Sequence, residues 1–238
     1  MQRLKENILR DQAAFDQEIS GWIKGYTSRG GRIYCGKGCK HCCNLAVNAT
    51  LPEALCIADV LTGQQAPRIN DHVRRLLTHR HRFTDLKTYL SLHRREIGFC
   101  PLLNEDGSCG VYAVRPFSCR SLLSTREDRW CATDFAALTS EEKSAFVESL
   151  DLTAVSFPMH YVAATQNMGQ ELESQSDRRM ARQYGFSLYG NLTVLIFLEL
   201  EHRLGEVVCK GWEATEQLLE QAGVNSPYLV SCAVEPSF

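Results

Sequence analysis

The chain has 238 residues, of which 44% are hydrophobic and 23% are charged, and this composition excludes a disordered or fibrous protein. Its formal net charge is −2, so no overall charge would draw it to nucleic acid or to an anionic membrane. The unusual feature is the cysteine content: eleven cysteines are present, and nine of them lie between Cys35 and Cys131. This clustering indicates where the function should be sought.

The N-terminal segment is charged from residue 3 onward and has no apolar stretch, so we expect no signal peptide. The most apolar part of the chain, residues 186–198, is shorter than the roughly 20 residues that a membrane span needs. We therefore predict a cytoplasmic protein without a membrane partner. Thiols stay reduced in the cytoplasm, so many cysteines there indicate metal binding or redox chemistry rather than structural disulfides.

The spacing of apolar residues predicts most of the elements before residue 97. Thr50 and Glu53 form a capping-box pattern at the start of one helix, which Gly63 would end. The predicted elements are a helix over residues 1–24, a Gly-rich break over 25–36, a short strand over 45–49, a helix over about 51–61 and a long polar helix over 68–96.

Residues 99–131 interrupt the helical rhythm with prolines and glycines, so we expect irregular chain there. A second capping-box pattern, at Thr139 and Glu142, begins another helix. Further helices are predicted over about 186–204 and 212–222. The predicted fold is mainly α with little β structure, in which helices surround an irregular cysteine-rich region.

Two units follow from this pattern. Residues 1–131 form the predicted cysteine-cluster region with its N-terminal helix, and residues 132–238 form a helical region. We expect the second unit to pack on the first as one compact domain.

Eight of the cysteines fall into two groups that we predict to be metal ligands. The first cysteine group is Cys35, Cys39, Cys42 and Cys43, and the second cysteine group is Cys100, Cys109, Cys119 and Cys131. Glycines in the first group let its backbone turn several sulfurs toward one point, and a turn at residues 104–107 could bring Cys100 near Cys109. Four thiolates suit either a [4Fe-4S] cluster or a zinc ion.

The thiol count leaves the metal and the number of sites open. Eight thiols exceed the need of one site, so either two sites exist or some thiols act around the metal or in redox chemistry. The excess favours an iron–sulfur cluster slightly over zinc. Cys35, Cys39 and Cys42 also have radical S-adenosylmethionine spacing, but such enzymes need alternating strands and helices, which the sequence does not predict. Cys56, Cys209 and Cys232 are expected to be small apolar residues, and His41 to face solvent.

At these positions the sequence resembles the YkgJ-type cysteine-cluster family, also called the CxxCxxCC zinc- or iron-chelating domain. The matching pieces, over roughly residues 33–131, are the first cysteine group, Cys100-Pro101-Leu102-Leu103, Gly107-Ser108-Cys109-Gly110-Val111-Tyr112 and Arg115-Pro116-Phe117-Ser118-Cys119-Arg120. Three residues separate Cys35 from Cys39, where the family name implies two.

The resemblance implies metal binding and suggests a reaction only indirectly. Members are often described as iron–sulfur oxidoreductases, and a related cluster occurs in flagellin lysine N-methylases. The alternatives to an oxidoreductase are therefore a cluster-dependent protein lysine methyltransferase-like enzyme and a non-enzymatic zinc-binding adaptor.

Three residues of the resembling segment are candidate cofactor-binding residues. Arg115 and Arg120 could stabilise the negative charge of a cluster, since cations favour thiolates, and Tyr112 accompanies them. For Arg115, pairing with an acidic residue as a structural clamp is an equal alternative.

Residues 68–95 hold eight Lys and Arg residues against two Asp residues. We interpret this as a solvated helix face, because no nucleic-acid motif accompanies it. A nucleic-acid partner is therefore not predicted. The sequence does not identify a substrate or a protein partner.

Overall fold

The structure is a computed structural model that describes residues 1–36, 38–135 and 137–234. Helices predominate in it, which confirms the mainly α prediction. In chain order the helices are α1 (Gln2–Ser28), α2 (Leu51–Ala58), α3 (Gln65–Thr78), α4 (Leu86–Leu92), α5 (Phe117–Ser121), α6 (Asp128–Ala132), α7 (Ser140–Glu148), α8 (Ala163–Tyr184), α9 (Leu192–His202), α10 (Leu204–Val208) and α11 (Trp212–Gln221). Short 3-10 turns lie at His41–Asn44, Arg80–Arg82 and Tyr112–Val114, and a π-helical turn lies at His93–Ile97.

Three short strands form one antiparallel sheet in the order β1-β2-β3. The strands are β1 (Asn48–Thr50), β2 (Phe186–Asn191) and β3 (Val230–Val234). In the central strand, a Cβ atom on Gly190 would lie 2.2 Å from the carbonyl oxygen of Leu229, so only glycine allows this close approach.

The helix predicted over 186–204 is wrong in its first part, because residues 186–191 form β2. The side chain of Asn191 ends the strand and begins α9, since it accepts hydrogen bonds from the backbone N–H of Thr193 at 3.0 Å and of Val194 at 3.3 Å. Both predicted capping boxes are confirmed at the starts of α2 and α7.

The long polar helix predicted over 68–96 is interrupted. It divides into α3, a 3-10 turn, α4 and the π-helical turn. The break has a local cause, because Asp85 caps α4 by accepting a hydrogen bond from the backbone N–H of Thr88 at 2.8 Å. Helix α8 was not predicted, since it has few apolar residues and buries small or polar ones such as Thr165, Gly169 and Ser176.

The main apolar core lies between the sheet and helices α2, α3 and α9. Helix α9 contributes Val194, Leu195 and Ile196, which are fully buried. A second cluster, which includes Phe15 and Phe117, packs α1 against α5. No helix in the described ranges is long and apolar enough to cross a membrane. The two clusters together fix the helices between which the cysteine segments lie.

Candidate metal centre

The first cysteine group occupies a tight loop between α1 and β1. Gly38 adopts φ +86°, a left-handed conformation that favours glycine, and the N–H of Cys39 donates to the carbonyl of Gly36 at 3.1 Å. The chain then enters the 3-10 turn at His41–Asn44, which contains Cys42 and Cys43. Four thiols are thus held within a stretch of nine residues.

A backbone hydrogen bond joins the two cysteine groups, which are far apart in the sequence. The N–H of Cys100 donates to the carbonyl of Cys43 at 2.8 Å. The predicted turn at residues 104–107 is present, with Gly107 at φ +79°, and Leu103 pairs with Cys109 across it. The turn therefore brings Cys100 and Cys109 together, as expected.

Two short helices supply the remaining thiols. Helix α5 contains Cys119, and its first N–H, that of Phe117, donates to the buried carboxylate of Glu53 at 2.7 Å. Helix α6 contains Cys131 and packs on the 3-10 turn of the first group. His41 Nε2 lies 3.3 Å from a carboxylate oxygen of Asp128 at this contact. His41, expected to face solvent, is half-buried in this pair.

Cys42 is the thiol whose charge affects members of both cysteine groups. Six others are close enough for charge on Cys42 to raise the pKa of each thiol, although burial is the larger cause in every case. These six are Cys35, Cys39, Cys100, Cys109, Cys119 and Cys131. A hydrogen bond with Cys43 and burial also raise the pKa of Cys42 well above its usual range. The two cysteine groups therefore meet around one residue.

The six thiols that Cys42 affects fall into two subsets. In one, burial and then charge on Cys42, Cys39 and Cys131 raise the pKa of Cys35 to about 11. In the other, Cys100 and Cys109 both act on Cys119, and burial raises the pKa of Cys100 to about 12. Each subset thus contains three thiols in mutual electrostatic contact.

The backbone favours the thiolate form at several of these sulfurs. Cys39 accepts a hydrogen bond from the N–H of His41, two residues later, and this bond lowers the thiol pKa against the effect of burial. The same step of two residues recurs at Cys100 with Leu102 and at Cys109 with Val111. Such N–H donors stabilise negative sulfur, which is the form that binds metals.

The candidate cofactor-binding residues occupy two different surroundings. Arg115 stacks on the ring of Tyr112 at 4.1 Å, and its charge lowers the pKa of Cys42, Cys109 and Cys119 against burial. Arg120 is 2% exposed and donates to Asp16 and to the carbonyls of Ala113 and Arg115. Arg115 therefore faces the thiols, whereas Arg120 clamps α5 to α1.

A histidine that the sequence did not single out lies against Cys131. His160 Nε2 is 3.3 Å from Cys131 Sγ, and burial lowers the pKa of His160 to about 4, so its ring is neutral. The adjacent Tyr161 also bonds to Cys131. His160 is 29 residues beyond the last cysteine of the second group and belongs to no metal-ligand spacing, so only its position in the fold identifies it.

The thiols lie in one region of the fold, but their side chains do not already form a metal-binding site. All eleven cysteines are free, and among the described residues no three His, Cys, Asp or Glu side chains are already arranged to hold a metal ion. The donor set nevertheless fits a thiophilic metal, because reduced sulfurs, backbone N–H donors and Arg115 lie together. Binding would require side-chain rotations that bring sulfurs to a common point.

The three other cysteines lie away from this region. Cys56 is buried in α2, as expected, and bonds to the carbonyl of Lys5. Cys232 lies in β3 and packs against the main core. Cys209 is exposed, so its prediction as a buried apolar residue is wrong. It follows α10 and lies beside the hydroxyl of Tyr184 at 3.7 Å.

Comparison with known proteins bears on the cysteine segment alone. Neither the curated proteins nor the solved structures yielded a match to this chain. Residues 34–134, which span both cysteine groups, match the model of the family described as "CxxCxxCC: Putative zinc- or iron-chelating domain", and the match supports metal binding.

Proposed function

We propose that the chain binds an iron–sulfur cluster through four thiolates, Cys42, Cys100, Cys109 and Cys119. The observation that supports this most strongly is the meeting of both cysteine groups at Cys42, although nearly 60 residues separate them in the sequence. We call these residues the four-thiol group. Four thiolates are the ligand set of a [4Fe-4S] cluster.

Two features favour a cluster over a structural zinc ion at the four-thiol group. Arg115 places a positive charge beside three of its thiols, and a cluster held by four thiolates is an anion that such a charge stabilises. Hydrogen bonds from backbone N–H groups to Cys100 and Cys109 would stabilise the same negative charge. Zinc in a closed site of four cysteines is the alternative.

The chemistry that a bound cluster supplies is one-electron transfer, so the function that we propose is that of an iron–sulfur oxidoreductase. The protein's part is to hold four thiolates and to set their electrostatic surroundings through Arg115 and the backbone donors. Free thiols fit a reducing compartment, so the proposal includes a cytoplasmic location. Within the described part of the chain, no observation favours the methyltransferase-like alternative.

The experiment is purification without oxygen, followed by measurement of iron, acid-labile sulfide and zinc per chain. We expect iron and sulfide in equal amounts and the broad visible absorption of a cluster, both lost in Cys42→Ser. Cys209→Ser is the matched control, since Cys209 lies outside both groups, and it should keep the full content. Zinc without sulfide would replace the cluster by the zinc alternative, and absence of any bound metal would overturn the proposal.

A further inference from the structure

A second set of potential metal donors does not include Cys100, Cys109 or Cys119. It consists of three thiols and one imidazole, which we call the mixed group: Cys35, Cys39, Cys131 and His160. Three of its members belong to the cysteine groups, but His160 lies far outside them in the sequence. Within this group, Cys131 Sγ lies 3.3 Å from His160 Nε2.

One short segment holds two members of the mixed group in place. The N–H of Ser124 donates to Cys35 Sγ at 3.1 Å. The next residue, Thr125, donates both its N–H and its hydroxyl to the carbonyl of His160 at 3.0 Å. Ser124 also pairs with Tyr161 across an isolated antiparallel bridge. Cys35 and His160 are therefore fixed by neighbouring residues of the same stretch, independently of the four-thiol group.

The surroundings of the His160 ring offer it few polar partners. The residue is 1% exposed, its ring lies edge-on to Phe146 at 5.8 Å, and Nδ1 has no hydrogen-bond partner among the described residues. The thiol of Cys131 is the polar contact of the other nitrogen. Buried polar groups are normally hydrogen-bonded, so a buried ring whose polar contact among the described residues is a cysteine sulfur is a candidate metal ligand.

We propose that the mixed group is a second metal site, distinct from the four-thiol group, and that it binds a single divalent ion of the zinc type. Three cysteines and one histidine are a common ligand set for structural zinc, whereas the usual ligands of a [4Fe-4S] cluster are four cysteines. Binding replaces three S–H bonds by three metal–sulfur bonds and releases the three protons to solvent. The proposal rests on the proposed function only in that the thiols are available to metals.

The test uses the full-length chain, reduced, freed of metal and reloaded with Co²⁺ without oxygen. Co²⁺ occupies zinc sites and reports its ligands through ligand-field and sulfur-to-cobalt absorption bands. We expect the wild-type chain to bind two ions and His160→Gln to bind one tightly, with affinity at the second site at least about 10-fold weaker. His72→Gln is the matched control, because His72 is also fully buried with unpartnered ring nitrogens, and it should keep both ions.

Two further measurements cover the case in which His160→Gln fails to fold. His160→Cys should restore two ions and increase the sulfur-to-cobalt absorption, because a thiolate replaces the imidazole. X-ray absorption of the zinc-loaded wild-type chain should show scattering from one imidazole ring, which needs no variant at all.

The outcomes separate this inference from the proposed function. If the wild-type chain binds metal but His160→Gln keeps the same stoichiometry and affinity, or imidazole scattering is absent, the mixed group is not a site and the four-thiol group still stands. If Cys42→Ser keeps the full metal content, the four-thiol group is not a metal site. One bound ion with imidazole scattering would then support the mixed group alone. If no metal binds to the wild-type chain, both proposals fail.

Discussion

The helical core and the cysteine segment of this protein are built in contrasting ways. Around the sheet, α9 buries Val194, Leu195 and Ile196 completely, and apolar contacts surround them. In the irregular chain that carries the thiols, residues 41–48 are only half-buried, and backbone hydrogen bonds such as that from Cys100 to Cys43 help to join its parts. The comparison indicates that hydrophobic burial dominates in the first region, whereas polar contacts and bound metal contribute a larger share in the second, where Leu102, Val111 and Phe117 are also buried.

Metal removal should separate the two regions most strongly. Structural metal binding contributes on the order of 10 kcal/mol to folding in small domains, and here this free energy would act on the cysteine segment. After chelation under reducing conditions, we expect the amide hydrogens of Cys100 and Gly110 to exchange much faster, while those of Leu195 and Ile196 in α9 keep their protection. Hydrogen exchange followed by mass spectrometry measures both regions in one sample. Equal loss of protection in α9 would contradict the division.

The next largest effect is expected at Arg120, which belongs to the boundary between the regions. Arg120→Ala would leave the carbonyls of Ala113 and Arg115 without this donor and Asp16 without its ion pair. Because each buried unsatisfied group costs about 1–3 kcal/mol, we expect the free energy of unfolding to fall by about 4 kcal/mol. Urea denaturation measures it, and Arg178→Ala, an exposed arginine on α8, is the control. A loss equal to that of the control would show that the clamp is unimportant.

A substitution in the core should lower stability without affecting metal content. Leu195 is fully buried, so Leu195→Ala should cost about 3 kcal/mol through lost burial and the cavity left behind. Leu86→Ala, at a leucine that is 62% exposed, is the matched control and should change stability little. Both variants are expected to keep the wild-type metal per chain. A metal loss in Leu195→Ala would show that the two regions are tightly coupled.

The sequence predicted the parts of this arrangement that depend on local patterns. Capping boxes placed the starts of α2 and α7, and cysteine spacing placed the first group in a tight loop. Contacts between distant segments were not predictable in the same way. His160 contacts Cys131 because residues 160–162 pair with residues 123–125. Residues 186–191 form a strand where a helix was predicted, and within this strand Gly190 packs closely on the backbone at Leu229 and Val230. Such pairings have no periodic signal in a single sequence.

A cluster of buried carboxyl groups on α2 and α8 lies next to α5, at the boundary between the two regions. Burial and then charge on Glu53 raise the pKa of Glu173 to about 8, and the same two causes raise the pKa of Asp177 to about 7. Hydrogen bonds from Tyr189 and from the backbone N–H of Ser118 lower the pKa of Glu173, but by less than burial and neighbouring charge raise it. Glu53 itself is uncharged more readily than an exposed glutamate, because burial raises its pKa.

The raised pKa of Glu173 makes stability fall as pH rises. Between about pH 4.5 and pH 8 the folded state binds a proton at Glu173 that the unfolded state has released, so the free energy of unfolding decreases across this window. Glu173→Gln removes that titration. We expect the variant to gain stability relative to the wild-type chain by up to about 3 kcal/mol between pH 5.5 and pH 8.5, because each pH unit inside the window is worth about 1.4 kcal/mol. Urea denaturation at both pH values measures the difference, and Glu171→Gln, an exposed change on the same helix, should show none. If the Glu173→Gln chain and the wild-type chain lost stability in parallel, Glu173 would be ionised throughout and the boundary would tolerate buried charge without the help of a proton.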